Sequence, residues 1–317
     1  MNLVFCGTPQ FAVPTLAELV AAGFDVRLVV SQPDRPRGRG MEVAITPIKE
    51  LAASLGLPIV QPEKIKHNEE FRAQLEQLKP DAIVVVAYGR IIPKWMIDLP
   101  RFGNINLHAS LLPKYRGAAP IQWAIAQGES VTGVTTMRID EGLDTGAMLL
   151  QRDIAIAPED TTVTLAPRLA EVGAKLMVET LRGLERGTIT PRPQDDTQAS
   201  LAPLLKKEDG LIDFSRPAGE IHNRVRGFQP WPGQYTTFRG KGLQFSRTCV
   251  GSWGPAAPGR DNIAPGELRV EDDHLVVGCG NATLLELLEL QPEGKKRMSA
   301  RDFINGYKPR TGERLGQ

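Results

Sequence analysis

The sequence predicts an α/β protein in which a doubly wound, mostly parallel sheet is followed by a small β-barrel. Short apolar runs alternate with helix-like stretches through the first half of the chain, the pattern of successive β-α units. Residues 187–202, rich in Thr, Pro, Gln, Asp and Ser, break that alternation and carry no sustained periodicity. Beyond them, short strand-like runs are separated by glycine-rich turns such as Arg239-Gly-Lys-Gly242, which is how a small barrel reads.

In chain order, buried strands are predicted at 3–7, 26–30, 58–60 and 82–87, with helices at 11–22, 47–55 and 69–78 between them. Runs such as Leu3-Val-Phe-Cys6 are apolar throughout rather than alternating, so both faces of their sheet are covered and its strands run parallel. Strands at 103–109, 131–139 and 147–156 follow. A helix at 162–185 comes next, in which Val163, Leu165, Leu169, Val172, Leu176 and Leu181 recur with helical spacing. Pro167 weakens the start of that helix. Domains are expected at 1–187 and 206–317, joined by a linker at 188–205. The second should hold strands at 211–214, 235–238, 243–247 and 274–279 and a short amphipathic helix at 221–226. That helix runs into an aromatic and proline cluster at 227–233, expected to pack internally, and residues 251–266 read as a flexible insertion.

With 317 residues, 41% hydrophobic and 24% charged, the chain is long enough for two domains with a sizeable core. No apolar run reaches the roughly 18–20 residues that span a bilayer, and the first predicted strand begins at residue 3. No membrane association and a cytoplasmic location are therefore expected. The three cysteines are odd in number and far apart, and the four histidines are scattered, so neither a disulfide framework nor a metal site is expected. Net charge is +1 overall, but residues 206–317 hold 17 Lys and Arg against 14 Asp and Glu, while residues 1–205 hold 21 against 23. This asymmetry permits a polyanionic partner for the second domain without requiring one.

The first β-α turn reads Cys6-Gly-Thr-Pro-Gln-Phe11 instead of a glycine-rich dinucleotide fingerprint, and Pro9 removes an amide that could face a phosphate. No nucleotide cofactor is expected. Chemistry concentrates further on, in Asn104-Ile-Asn-Leu-His-Ala-Ser110 and Asp140-Glu-Gly-Leu-Asp-Thr-Gly146. Side chains two apart on a strand share a face, so Asn106 and His108 stand together while Leu107 turns to the core. Both lie at the carboxyl end of a strand, where open α/β sheets collect ligands.

An amide, an imidazole and the Asp144 carboxylate suit transfer of an acyl or formyl group to an amine. Asn106 and His108 could donate to the oxygen on which negative charge builds, and one well-aimed donor is worth roughly 2.7–4 kcal/mol. Asp144 would favour the imidazolium and take the amine's proton, directly or through water. Bland alternatives stay open: a hydrogen-bonded polar strand end for the first pair, and ordinary turn residues for Asp140, Glu141 and Asp144.

Arg35, Arg37 and Arg39 fall within five residues of a stretch, 32–40, whose prolines and glycines argue against any regular element. It reads as a mobile surface loop from composition, or, more sharply, as a phosphate-binding arm at the mouth of the sheet. Lys206-Lys207, Arg224 and Lys295-Lys296-Arg297 are solubility features taken singly. Gathered on one barrel, they become backbone contacts for a nucleic acid.

Together, Asn-x-His-x-Ser-Leu-Leu-Pro at 106–113, Tyr-Arg-Gly-Ala-Ala-Pro at 115–120 and Asp-x-Gly-Leu-Asp-Thr-Gly at 140–146 resemble the signatures of the folate-dependent formyltransferases in order and spacing. Gly7-Thr-Pro9, Gln32-Pro-Asp-Arg-Pro36, Ala87-Tyr-Gly89, Pro230-Trp-Pro-Gly233 and Gly294-Lys-Lys-Arg-Met298 extend the resemblance over nearly the whole chain, toward the members that act on initiator tRNA. The resemblance implies a Rossmann-like first domain and an OB-like second domain. It also implies passage of the formyl group of 10-formyltetrahydrofolate to the α-amino group of methionine on initiator tRNA, and a monomer is expected. By the same resemblance, Asn106, His108 and Asp144 are catalytic. Ser110, Leu111, Leu112 and Pro113 contact folate, with Tyr88 and Ile92 flanking the pterin. The tRNA contacts would come from Arg35, Arg37, Arg39, Lys206, Lys207, Arg224, Lys295, Lys296 and Arg297.

One departure is Met41-Glu-Val43, where family members often carry lysines. Two rival functions fit fewer features. A formyltransferase or hydrolase acting on a small amine shares the triad but gains little from the basic loop and barrel. A non-catalytic nucleic-acid-binding protein has no use for the triad. If Arg39 meets a phosphate, Arg39→Ala lowers the slope of log tRNA affinity against log salt by about one unit; an unchanged slope returns the loop to a solvated surface feature.

Overall fold

Leu3, Val4, Phe5 and Cys6 are fully buried, and the strand they form, β1 (Asn2–Gly7), has a parallel neighbour on each side in the computed structural model. The structure describes residues 1–37, 42–251 and 263–316. After β1 the chain passes through α1 (Val13–Ala21), which carries a proline in its first turn, to β2 (Asp25–Val30) on one flank of β1. A hairpin of β3 (Arg35–Arg37) and β4 (Glu42–Ala44) follows, then α2 (Pro47–Ser54), β5 (Ile59–Val60) and α3 (Glu69–Leu78). Thr46 and Asn68 cap α2 and α3 by accepting from the backbone N–H of Lys49 and Phe71. The chain then crosses to the other flank of β1 as β6 (Ala82–Val86). It continues through α4 (Lys94–Ile97), β7 (Asn104–His108), α5 (Pro120–Ala126), β8 (Val131–Arg138), β9 (Met148–Ala155) and α6 (Thr162–Arg186).

The strand order is β5-β2-β1-β6-β7-β8-β9, parallel from β5 to β7 and antiparallel at β8 and β9. The chain leaves β1 toward β2 and returns beside it as β6, so the switch point lies between β1 and β6 and opens at their carboxyl ends. β7, next to β6, ends on the same rim. Pro167 does not break α6, which runs for 25 residues through it; buried Leu165 and Leu169 hold the helix on either side.

Residues 32–40, expected to hold no regular element, contribute β3, which pairs antiparallel with β4 through Arg35↔Ala44, Pro36↔Val43 and Arg37↔Glu42. A lone two-stranded ribbon is edge on both sides, so the N–H missing at Pro36 is tolerated. Asp34 ties the base of this hairpin: its carboxylate accepts from Thr46 N–H at 3.2 Å and Gln61 Nε2 at 2.9 Å and pairs with Lys49. Those bonds, Lys49 foremost, hold its carboxyl below the ordinary carboxylate range.

The chain divides into two compact units. The first comprises Met1–Pro120, Val131–Ala155 and Ala166–Pro203, and the second Ile121–Ser130, Ile156–Leu165 and Leu204–Gln317. Residues 188–203, expected as part of a linker, therefore belong to the first unit. Backbone bonds fasten them there: Met148 and Arg192 exchange two of 2.8 Å, and Ala202 N–H donates to the Arg116 carbonyl at 2.7 Å.

The second unit adds α7 (Ala218–Gly227), β10 (Gln234–Phe238), β11 (Lys241–Val250), β12 (Leu268–Glu271), β13 (His274–Cys279), β14 (Thr283–Pro292), β15 (Met298–Ser299) and α8 (Ala300–Tyr307). Its antiparallel sheet runs β10-β11-β14-β13-β12, with β15 on β14. The chain end closes the two edges, because Phe238 bridges Leu315 and Glu267 bridges Arg314. The Leu315 and Leu268 amides donate to Gly266 and Glu313 carbonyls at 2.8 and 2.7 Å, and Gly316 N–H donates to Thr237 at 2.9 Å. Phe214, Phe238, Phe245, Leu275, Leu287 and Phe303 fill the interior.

Two expectations for this unit change. Residues 211–214 make one bridge, Leu211↔Tyr235, instead of a strand, because Asp213 Oδ1 draws in Ser215 N–H at 3.0 Å and Oγ–H at 2.6 Å, a local turn that competes with the ladder. In the aromatic and proline cluster, Phe228 is buried edge-on to Trp123 at 5.3 Å, but Trp231 is 53% exposed. The stretch 251–266 falls largely outside the described residues. Leu315→Ala should cost about 2–5 kcal/mol in denaturant unfolding and release the Leu268 amide to solvent exchange. A smaller loss with full protection would mean that the chain end does not hold the barrel shut.

Candidate active site

At the carboxyl rim, the ends of β1, β2 and β6 are linked by side-chain bonds. Thr8 Oγ accepts from Gln32 N–H at 3.3 Å, and Gln32 Nε2 donates to the Tyr88 carbonyl at 2.7 Å. The backbone leaves β6 through left-handed conformations at Ala87 (φ 46°) and Gly89 (φ 73°), and a Cβ on Gly89 would lie 2.7 Å from Gln32 Nε2. The Tyr88 ring and Ile92 point into the hydrophobic core beside Cys6 and Met96. Burial pushes the Tyr88 phenol well above its ordinary value, and its hydroxyl has no hydrogen-bond partner among the described residues.

On β7, Asn104, Asn106 and His108 share one face. Asn104 is buried and donates to the carbonyls of Met96 and Ile97 at 2.8 and 3.1 Å, which ties α4 to the strand. The partly buried Asn106 carboxamide makes no hydrogen bond among the described residues. Leu107 turns the other way, against α6 at Gly173, where any Cβ would come within 2.6 Å of it.

His108 is 6% exposed, and both of its nitrogens are accounted for. Nε2 lies 2.9 Å from the Tyr115 carbonyl, which can only accept, so Nε2 carries a proton. Nδ1 faces Asp144 Oδ2 across 3.7 Å, longer than a hydrogen bond. The same Oδ2 accepts from Gly117 N–H at 2.8 Å. Among the three acids of the 140–146 turn, the structure singles out Asp144. Asp140 bonds inside the turn, to Gly142 N–H at 3.1 Å and Thr145 Oγ–H at 2.7 Å, and Glu141 pairs with Lys94 at 3.4 Å.

The loop after β7 is held from behind. Thr135, opposite His108 on β8, donates to the Ser110 carbonyl at 2.6 Å and accepts from Leu112 N–H at 3.1 Å. Gln151 Nε2 donates to the Leu112 carbonyl at 2.9 Å, and Ser110 Oγ–H to the Lys114 carbonyl at 2.6 Å. In this loop the side chains of Leu111 and Pro113 are partly exposed, while Leu112 is buried. The peptide bond between Leu112 and Pro113 is cis.

The basic residues are more dispersed. Arg35 is exposed on β3, only the backbone of Arg37 is described, and Arg39 lies outside the described residues. Lys206, Lys207, Lys295, Lys296 and Arg297 are exposed. Arg224 is not: its guanidinium lies 5.8 Å from the Trp123 ring centre and 5.4 Å from that of Phe228, and burial lowers its pKa. Among the described residues, no group of three or more His, Cys, Asp or Glu gathers as metal ligands.

Residues 1–181 match the family model described as formyl transferase, and residues 204–308 match the formyl transferase C-terminal domain. The chain belongs to the formyl transferase family. It is 65% identical over its full length to the methionyl-tRNA formyltransferase of Koribacter versatilis, covering 99% of that protein. It is 62% identical to that of Acidobacterium capsulatum, with both chains covered in full. Among solved structures it resembles WlaRD, a sugar 3N-formyl transferase crystallised with dTDP and 5-N-formyl-THF, at TM-score 0.66 and 18% identity over 93% of this chain and 99% of that one. It also resembles the N-formyltransferase of Helicobacter canadensis in complex with folinic acid and dTDP-3-aminofucose, at TM-score 0.65 and 17% identity over 92% and 98%. At that identity the likeness is one of fold.

Local sequence patterns did not reveal the Tyr115 carbonyl, Gly117, Thr135, Gln151 or Gln194, each of which fixes a site group. Tyr115 and Gly117 lie inside a family motif, but their contacts are made by backbone, which no side-chain pattern signals. Gly117 has φ 122°, and a Cβ there would lie 2.6 Å from the Ala202 carbonyl oxygen. Gly117→Ala should therefore cost about 1–3 kcal/mol in denaturant unfolding. Unchanged stability would mean that residues 200–202 yield freely.

Proposed function

We propose that the protein transfers the formyl group of 10-formyltetrahydrofolate to the α-amino group of methionine on initiator tRNA. The observation that carries this reading is full-length identity of 65% to a methionyl-tRNA formyltransferase in a chain whose His108 and Asp144 stand 3.7 Å apart on the ligand rim. The donor set suits the folate: an unengaged carboxamide at Asn106 can bond a formyl oxygen, and Leu111 and Pro113 offer apolar surface to a flat pterin. Ser110 and Leu112 shape that loop, and Tyr88 and Ile92, packed in the core beside Cys6 and Met96, flank the pterin in this reading. The folate supplies the formyl carbon at an oxidation level ready for transfer.

Asn106 Nδ2 donates to the formyl oxygen as an amine adds and negative charge builds there. The Nε2 proton of His108 is committed to Tyr115, which leaves Asn106 as the free donor and Nδ1 of His108 as the atom that takes the amine's proton. Asp144, already fixed by Gly117 N–H, stabilises the imidazolium that results until its Nδ1 proton passes to N10 of the folate as the bond from N10 to the formyl carbon breaks and tetrahydrofolate leaves. With the two side chains 6% and 19% exposed, water screens that pair less than it would on the surface. The methionine amine is itself the nucleophile, so none is drawn from the protein.

Residues 1–187 act as the catalytic domain and 206–317 as the tRNA-binding domain in this reading. Arg35, Arg37, Arg39, Lys206, Lys207, Lys295, Lys296 and Arg297 meet the phosphate backbone, and Arg224 orders the aromatic pair beneath it. The enzyme works as a cytoplasmic monomer. No helix among the described residues is long and apolar enough to cross a membrane.

Incubation with 10-formyltetrahydrofolate and methionyl initiator tRNA should yield formylmethionyl-tRNA, with methionyl elongator tRNA a poor acceptor. Formylation of a small amine in preference to the tRNA would sink this reading. Asn106→Ala and Asp144→Ala should each lower kcat by at least about 100-fold with the fold and tRNA affinity nearly intact. Near-normal turnover of either removes that residue from the mechanism.

A further inference from the structure

Residues 192–202 carry no side chain that reaches the reacting groups, yet they hold both members of the His108–Asp144 pair. Gln194 carries most of this. Its Nε2 donates to the Asp144 carbonyl at 2.7 Å and to the Gly146 carbonyl at 2.8 Å, so one amide nitrogen spans the turn that presents the carboxylate. Its Oε1 accepts from Arg116 Nε at 3.0 Å and Nη2 at 2.8 Å, which fixes which end of the carboxamide points at the turn. Arg116 is itself buried and donates once more, to Asp196 Oδ1 at 2.7 Å. Farther along the same segment, Ser200 Oγ accepts from Tyr115 N–H at 2.9 Å, and its carbonyl accepts from Arg116 N–H at 2.8 Å. Tyr115 is the residue whose carbonyl takes the Nε2 proton of His108.

We propose that Gln194 is a positioning residue for formyl transfer, holding Asp144 at its working distance from His108, with Ser200 holding the imidazole side through Tyr115. The inference rests on the catalytic role proposed above for Asp144. Its physical basis is that Asp144 adopts φ 52°, a left-handed conformation that a non-glycine residue keeps only when its surroundings enforce it. The two Gln194 bonds hold the carbonyls of residues 144 and 146, the first on the peptide that leaves that left-handed residue and the second two residues further along the turn. Without them the turn relaxes, the carboxylate retreats from Nδ1, and the imidazolium loses its counter-charge. Substrate binding does not depend on this clasp, since no folate or tRNA contact is assigned to Gln194.

The test compares Gln194→Met, Gln194→Glu and Asp144→Asn with the double variant Gln194→Met/Asp144→Asn, in the full chain, with 10-formyltetrahydrofolate and methionyl initiator tRNA. Gln194→Glu keeps the Arg116 partner but loses both donors, so it tests the clasp while leaving the Arg116 side paired. Both Gln194 variants should lower kcat by about 10- to 100-fold, with KM for each substrate within about threefold of wild type, as expected for a displacement near 1 Å of a reacting group. In the Asp144→Asn background, Gln194→Met should add less than about twofold, because nothing is left to position. Equal losses in both backgrounds would overturn the inference in favour of a merely structural strap. Normal turnover of both Gln194 variants beside a crippled Asp144→Asn would overturn it and spare the catalytic reading. Near-normal Asp144→Asn would bring down that reading and this inference together.

Discussion

A buried imidazole with one nitrogen bonded to a carbonyl and the other turned to a carboxylate is the constraint on which the first unit depends. The Tyr115 carbonyl accepts the proton of His108 Nε2 at 2.9 Å, and Asp144 Oδ2 stands 3.7 Å from the other ring nitrogen. Neither partner is on the strand that carries the histidine. The register of β7 against β8, with His108 opposite Thr135, puts the loop of Tyr115 on one side of the ring, and the turn after β8 puts Asp144 on the other. A one-residue slip of that register would turn His108 into the core.

Holding this arrangement requires backbone that the chain does not adopt willingly. Ala87, Tyr115 and Asp144 have φ of 46°, 61° and 52°, each costing of order 1–3 kcal/mol for a residue with a side chain. Ala87 and Tyr115 follow strands that end on the carboxyl rim, and Asp144 lies in the turn that joins the antiparallel β8 to β9. The stiffness that offsets this cost comes from the central strands, buried on both faces, and from polar side chains that bond neighbouring backbone: Gln32 at Tyr88, Thr135 and Gln151 at Ser110 and Leu112, Gln194 at Asp144 and Gly146. These glutamines and the threonine touch no reacting group. They convert a generic sheet edge into one with defined distances.

The second unit solves a different problem. An antiparallel sheet of five strands in line leaves two edges, and edges invite pairing with other chains. The segment around Leu315 bridges both β10 and β12, so the ladder closes on itself and Phe238 is covered. The lysines at 206–207 and the basic turn at 295–297 are exposed and lie outside this core, with Arg297 3.9 Å from Glu289. Arg224 is of another kind, since its guanidinium is spent on two aromatic rings.

Much of this was legible in the residues. Continuous apolar runs such as 3–6 set a parallel sheet because such strands are stable only when covered on both faces. The alternation of side chains on a strand placed Asn106 beside His108 before any coordinates. Family motifs supplied Asp144. What the residues could not show is that 35–37 pairs with 42–44, or that 192–202 fastens the turn of Asp144 and the loop of Tyr115. Local pattern reports which groups a segment can bury or expose, whereas these features depend on which backbone carbonyl or amide arrives from elsewhere in the chain. The polar groups on offer were therefore written in the side chains, and only the tertiary structure decided which nitrogen of His108 meets a carbonyl and which faces Asp144.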